Sequence, residues 1–323
     1  FDKGKQNTYN TIKRQWSTEN KTAGRRETLS SRLWDSLPGA SQQYQNTIYP
    51  SEDIMERNDI MKKVLTIAGS DPSGGAGIQA DLKTITVHGM FGMSAVTALT
   101  DQNTTGVFGV LEASPEFVAQ QIDCIFEDIR PDAVKIGMVS NAEIIRVIAE
   151  RLTFYKAENI VADPVMIATS GGKLLQDSAE EALINQLLPL AQLITPNIPE
   201  AEVLSGLKIH SATDMLAAAE KIREKIKGAV LIKGGHFSEN ANDLLLSVGE
   251  AVWFNNEHIE NPNTHGTGCT LSSAVACGLA DGYSIKESVR RAKEYITGAI
   301  ADGLNLGRGS GPLNHMYRLR QYR

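Results

Sequence analysis

The richest chemistry in this chain is concentrated in His265-Gly266-Thr267-Gly268-Cys269-Thr270, which runs directly into Leu271 and a series of small apolar residues. That is the pattern of a loop becoming a helix. The first N–H groups of a helix have no partner within it, and glycines let an anion approach the backbone closely. The positive end of the helix adds to the attraction. Gly266, Thr267 and Gly268 are therefore candidates to receive an oxyanion. The same field is expected to lower the pKa of the Cys269 thiol and make it a usable base or nucleophile. A plainer reading is a small-residue helix start packed under a neighbour, with Cys269 a buried apolar side chain. This stretch alone does not choose between them.

The elements that would position it follow from Met61 onward, where strand and helix signals alternate without a composition break. Val64–Ala68 reads as a buried strand ending at Gly69. Gly77 to His88 has helical spacing, and Met93 to Leu99 reads as the second strand. Ser114-Pro115-Glu116 opens a helix, with serine as cap and proline at the first helical position. Further strands are expected at Ala133–Ile136, Ile160–Ala162, Leu193–Ile194 and Val230–Ile232. A strand pair turns at Gly249-Glu250, and two closing helices start near Cys269 and Ile285. Such alternation implies a mostly parallel sheet covered on both faces, an α/β fold. Ligands of these sheets lie beyond the carboxyl ends of the strands. The residues that follow each strand therefore carry the functional reading.

After the first strand comes Gly69-Ser70-Asp71-Pro72-Ser73-Gly74-Gly75-Ala76-Gly77, a loop able to come close to a ligand. A dinucleotide fingerprint is a weak alternative, because Gly75 starts too far beyond the strand end, and no GxxxxGK[ST] is present. Gln102, near the second strand's end, has an amide that both donates and accepts, which suits an aminopyrimidine. Met138 follows the third strand and can pack on a flat ring. Asp163 and Val165 follow the fourth, and Asn197 and Glu200 the fifth. Two carboxylates at strand ends suit Mg²⁺, although Glu200 also reads as a first-turn acid complementing a helix dipole. Residues 168–173 are placed to act as a lid. Lys233 follows the sixth strand, where a cation can meet polyphosphate. His265 reads as a hydrogen-bonding loop residue, since no second histidine stands at ligand spacing. One ligand set satisfies these ends together: a nucleoside triphosphate with Mg²⁺ beside a small flat acceptor, with Cys269 taking the hydroxyl proton.

The motifs from Ala68 to Lys83, with Gln102-Asn103-Thr104, Lys135-Ile136-Gly137-Met138, Asp163-Pro164-Val165-Met166 and His265–Thr270, closely resemble those of the hydroxymethylpyrimidine kinase/phosphomethylpyrimidine kinase family of thiamine biosynthesis. The resemblance covers about residues 61–315 in the right order. It implies a ribokinase-like three-layer αβα sandwich and two successive ATP-dependent phosphorylations of 4-amino-5-hydroxymethyl-2-methylpyrimidine. It places the ring against Gly69, Gln102, Met138 and Val165 with Asp81 nearby, Asp163 and Glu200 at the metal and phosphate side, and Lys233 and Asn197 at the nucleotide. Cys269 stands where many sugar kinases of the superfamily carry an aspartate base. A pyridoxine/pyridoxal kinase of the same fold is the nearest alternative.

Composition narrows the rest. Of 323 residues 41% are hydrophobic, enough for a sizeable core. Residues 1–60 carry nine Lys/Arg against eight Asp/Glu, leaving a net −7 of the whole-chain −6 on residues 61–323. A mildly acidic body without a basic stripe argues against nucleic acid. No apolar run approaches the roughly 20 residues needed to span a bilayer. Three scattered cysteines, Cys124, Cys269 and Cys277, suit a reducing compartment such as the cytoplasm. A homodimer without membrane or nucleic-acid partners is expected. Residues 1–60 are polar and aperiodic, reading as a disordered leader or extraneous upstream sequence, with the kinase domain spanning 61–323.

Overall fold

The computed structural model describes residues 61–166, 177–235, 242–255 and 259–322. The expected lid at 168–173 and the leader at 1–60 fall outside them. Its elements in order are β1 (Lys63–Ala68), α1 (Gly77–Val87), β2 (Phe91–Val96), β3 (Ala98–Asn103), β4 (Gly106–Glu112), α2 (Pro115–Asp128), β5 (Ala133–Ile136) and α3 (Ala142–Phe154). These are followed by β6 (Ile160–Ala162), α4 (Asp177–Ala182), β7 (Leu193–Ile194), α5 (Ile198–Ser205), α6 (Ala212–Arg223) and β8 (Ala229–Ile232). The chain closes with β9 (Asp243–Ser247), β10 (Glu250–Phe254), α7 (Thr267–Ala280) and α8 (Ile285–Asp302).

The main sheet runs β10-β9-β8-β7-β6-β5-β1-β2. Every pairing from β8 to β2 is parallel, and β9 and β10 add an antiparallel edge. Strand alternation divides β1 between two cores. Leu65 and Ile67 pack with Val118 and Ile122 of α2 and Ile144 and Ile148 of α3. Val64 faces the opposite side, with Leu271 and Val275 of α7 and Val289 of α8. Helices thus cover both faces, the expected three layers. The small residues of α7 let it lie close to its neighbours: a methyl group on Gly278 would fall 2.7 Å from Ser288 Oγ of α8.

The chain leaves β1 for β2 on one side and returns to β5 on the other, so the sheet has its switch point at β1 and β5. A crevice at the strands' carboxyl ends follows from that topology.

The second strand differs from the sequence reading. Met93 to Leu99 is not one strand: the chain breaks at Thr97, whose N–H bonds Ala68 O (3.0 Å), and continues as β3. This strand pairs antiparallel with β4 outside the main sheet. Gln102 therefore sits on a projecting hairpin rather than in a turn. The hairpin escaped pattern reading because Leu99, Phe108, Val110 and Leu111 are solvent-exposed, so no buried face marks it.

Candidate active site

A cavity of about 550 Å³ opens at the carboxyl ends of β1, β5, β6, β7 and β8. Its lining includes Gly69, Gln102, Met138 and Val165 together with Asp163, Asn197, Glu200, Lys233, Gly266, Thr267, Gly268 and Cys269. These residues come from seven separate segments, and the fold brings them to one place.

The phosphate-side turn is built as its composition requires. Gly266 caps α7 with φ +81°, and a methyl group on it would lie 1.8 Å from Gly75 O. Both the backbone angle and the close approach demand glycine. Thr267 N–H bonds Thr264 O (3.2 Å), and Thr270 N–H bonds Gly266 O (2.9 Å). The N–H groups of Gly268 and Cys269 lie between them in the first helical turn, where the helix itself supplies no acceptor. They can receive an anion.

Opposite this turn, Lys233 Nζ donates to Asp163 Oδ1 at 2.9 Å, and Thr195 Oγ1 donates to the same oxygen at 3.2 Å. A methyl group on Gly268 would lie 3.1 Å from Asp163 Oδ2 and 3.4 Å from Lys233 Nζ, which places the ion pair directly against the helix start. Burial works against the Lys233 charge, but Asp163 and Glu200 outweigh it and raise its pKa. Glu200 combines a place in the cavity with a structural task at a helix start. It lines the cavity and closes a capping box at α5: Asn197 N–H donates to Glu200 Oε2 (2.8 Å), and Glu200 N–H donates to Asn197 Oδ1 (2.9 Å).

Burial raises the Glu200 carboxyl to about 7; Lys233 opposes the rise, Asp163 adds to it, and N–H donors of Asn197 and Met166 oppose it. The unfolded chain releases this proton near the ordinary 4.5, so between about pH 4.5 and 7 the folded state binds more protons. Stability contributed here falls as pH rises through that window. Glu200→Gln should therefore gain on the wild type between pH 5 and pH 8 by on the order of 1–3 kcal/mol, measurable as paired denaturation curves without divalent cations. A constant difference would assign Glu200 an ordinary carboxyl.

Two expectations are corrected. Asp81 does not line the cavity. Its carboxylate is fully buried, receiving Lys135 Nζ on both oxygens (2.9 and 2.8 Å), Thr66 Oγ1 (2.6 Å) and Ser273 Oγ (2.8 Å). Four donor contacts leave it committed to bracing β1, β5, α1 and α7, not to a ligand. The Cys269 thiol is not lowered: burial raises it to about 11, Lys135 opposes that rise, and Asp81 and Asp163 add to it. The field of the helix end is outweighed by desolvation and two neighbouring carboxylates.

The sequence reading also left out functional neighbours. Asp71 accepts the N–H groups of Ser73, Gly75 and Ala76, the Ser73 hydroxyl and the His265 ring, folding the glycine loop into its shape. An aspartate just ahead of a Ser-Gly-Gly run is the available signal for such a turn. Thr100, Asp243, Lys293, Ile296 and Thr297 also line the cavity; β9 and α8 bring the last four from outside any motif.

Mostly parallel strands between two helical layers, with a cation, paired carboxylates and a glycine-bounded helix start around one cavity, define a ribokinase-like small-molecule kinase. The chain belongs to the phosphomethylpyrimidine kinase family, whose sequence profile matches residues 71–314. It is 49% identical over 78% of its length to the thiamine biosynthesis bifunctional protein ThiED of Geobacter sulfurreducens, spanning 52% of that longer protein. It is 47% identical over 79% of its length to the hydroxymethylpyrimidine/phosphomethylpyrimidine kinase of Streptomyces coelicolor, of which it spans 95%. A solved ADP complex of Bacillus subtilis pyridoxal kinase superposes with a TM-score of 0.74 at 40% identity, covering 80% of this chain and all of that one.

Proposed function

We propose that this chain transfers the terminal phosphoryl group of ATP to 4-amino-5-hydroxymethyl-2-methylpyrimidine, and then to the resulting monophosphate, giving the diphosphate used in thiamine diphosphate biosynthesis. One observation carries the reading: Gly69, Gln102, Met138 and Val165, which suit a flat ring, line the same cavity as Lys233 and Gly266–Cys269, which suit an anion. Phosphoryl transfer asks a protein mainly for alignment and charge neutralisation. Gln102 and Met138 hold the ring, the Gly268 and Cys269 N–H groups receive the moving phosphoryl, and Lys233 meets the polyphosphate. Asp163 and Glu200 offer the oxygen donors that Mg²⁺ prefers, one or two carboxylates being its usual protein share. Bound there, Mg²⁺ would neutralise phosphate charge. Cys269 accepts the hydroxyl proton as the bond to phosphorus forms.

The pyridoxal kinase neighbour supports a second reading, phosphorylation of pyridoxal. Coupled assays with the pyrimidine alcohol, its monophosphate and pyridoxal decide between them; a higher kcat/KM for pyridoxal would overturn the pyrimidine assignment. Gln102→Ala should weaken pyrimidine binding by about 1–3 kcal/mol through unpaired polar groups on the ring. Equal affinity by calorimetry would remove Gln102 from the site.

The catalytic unit in this reading is residues 61–323. Deleting residues 1–60 should leave kcat and Tm nearly unchanged, and a fall in either would assign the segment a part in the folded enzyme. The exposed Leu99, Phe108 and Leu111 of the β3–β4 hairpin form an apolar patch suited to a second copy, supporting a homodimer that sedimentation would reveal. Three free thiols support a reducing, cytoplasmic setting. None of the described helices is long and apolar enough to cross a membrane.

A further inference from the structure

His265, Asp71 and Gln102 meet on the wall of the cavity. His265 Nε2 lies 2.8 Å from Asp71 Oδ2 and 3.4 Å from the Gln102 carboxamide atom assigned as Nε2, whose partner Oε1 lies toward Thr100 Oγ1; oxygen and nitrogen of an amide are told apart only by such partners. Its ring is wedged against the glycine loop, since a methyl group on Gly75 would come 2.3 Å from His265 Cδ2. Burial opposes ionisation of Asp71, but hydrogen bonds from His265, Ser73 and Ala76 outweigh it and pull the carboxyl down to about 2. Asp71 is therefore an acceptor at neutral pH, and His265 Nε2 must carry the proton that bonds it.

That proton fixes the amide. A Gln102 NH₂ turned toward an Nε2–H would set donor against donor, whereas Gln102 Oε1 in that place accepts a weak second branch of the His265 bond. The other side agrees. Thr100 Oγ1 spends its single proton on Ser70 O (2.8 Å), so at 3.3 Å from the Gln102 amide it can only accept. The amide nitrogen belongs there.

We propose that Asp71 and His265 are positioning residues that lock the Gln102 carboxamide with its oxygen toward the imidazole. One Gln102 N–H then goes to Thr100, and the other faces the cavity. The site thereby selects a ring that presents an acceptor nitrogen to Gln102. This last step rests on the kinase reading above; the locked amide does not. Because His265 adjoins Gly266, the same contact ties ring orientation to the turn that receives the phosphoryl group.

Two measurements test it. In the full chain, long-range proton–nitrogen correlation spectra, with the His265 signal identified through His265→Gln, should show the Nε2–H tautomer; an Nδ1–H tautomer overturns the lock. Calorimetry should compare the pyrimidine alcohol with its two analogues in which one ring nitrogen is replaced by C–H. Wild type should bind one analogue at least about tenfold more weakly than the parent. His265→Leu should reduce that ratio to within about threefold while KM for Mg-ATP moves less than about twofold, and His265→Gln, which keeps a donor at the same reach, should restore most of it. Full discrimination retained in His265→Leu would overturn the proposal. If wild type binds none of these compounds, the substrate reading fails, and the tautomer still decides the lock.

Discussion

Cys269→Ala is expected to lower kcat by roughly 10²–10⁴-fold while leaving pyrimidine binding largely intact, the range typical of removing a general base. The raised thiol makes the test sharper than a single rate. With the thiol near 11, only a small fraction is thiolate at neutral pH. If that fraction takes the hydroxyl proton, wild-type kcat/KM should climb about tenfold per pH unit through pH 7–9 toward a plateau set by the thiol. The alanine variant should lose that slope together with the rate. The sign follows from the chemistry, because a base must be deprotonated to act, so activity rises with pH. A flat wild-type profile, or unchanged turnover in the variant, would move the proton to another acceptor and leave the Cys269 N–H, not its sulfur, as the contribution to catalysis.

The second large effect concerns stability. Lys135→Met should destabilise the fold by about 3–5 kcal/mol, the cost of removing one partner from a buried ion pair. Both side chains are fully buried, so the Asp81 carboxyl would be left with only Thr66 and Ser273 as donors. Burial works against the Lys135 charge, yet Asp81 first among its neighbours more than reverses this and holds the ammonium raised. Chemical denaturation would register the loss as a lower midpoint at unchanged slope. The result also separates two roles for Asp81. As a brace, its disturbance lowers the midpoint and leaves KM for the pyrimidine nearly constant in the molecules still folded. A change confined to KM, with the midpoint preserved, would return Asp81 to the ligand site.

Asp81 shows why some residues defeat motif reading. It lies on α1 in a segment whose neighbours do reach the cavity, and sequence distance cannot say which face of the helix turns toward the ligand. In the fold its side of α1 faces β1, β5 and α7. Gln102 shows the reverse case: it does line the cavity, but from a hairpin strand that the apolar pattern hides because its hydrophobic residues face outward. Cys269 is a third kind. Its place at a helix entrance was legible, whereas its acidity depended on Lys135, Asp81 and Asp163, brought beside it from distant segments.

Apart from the β3–β4 hairpin, the strands of the main sheet from Met61, the glycine turn into α7 and the residues following each strand were readable in the chain. Buried strands, helix starts and glycine turns are local properties, set by side-chain period, caps and backbone freedom. Only the tertiary structure decided which charges neutralise one another, which thiol is desolvated and which amide is locked. Those outcomes depend on the neighbours that folding supplies across the sheet, up to 194 positions away in the pairing of Asp71 with His265.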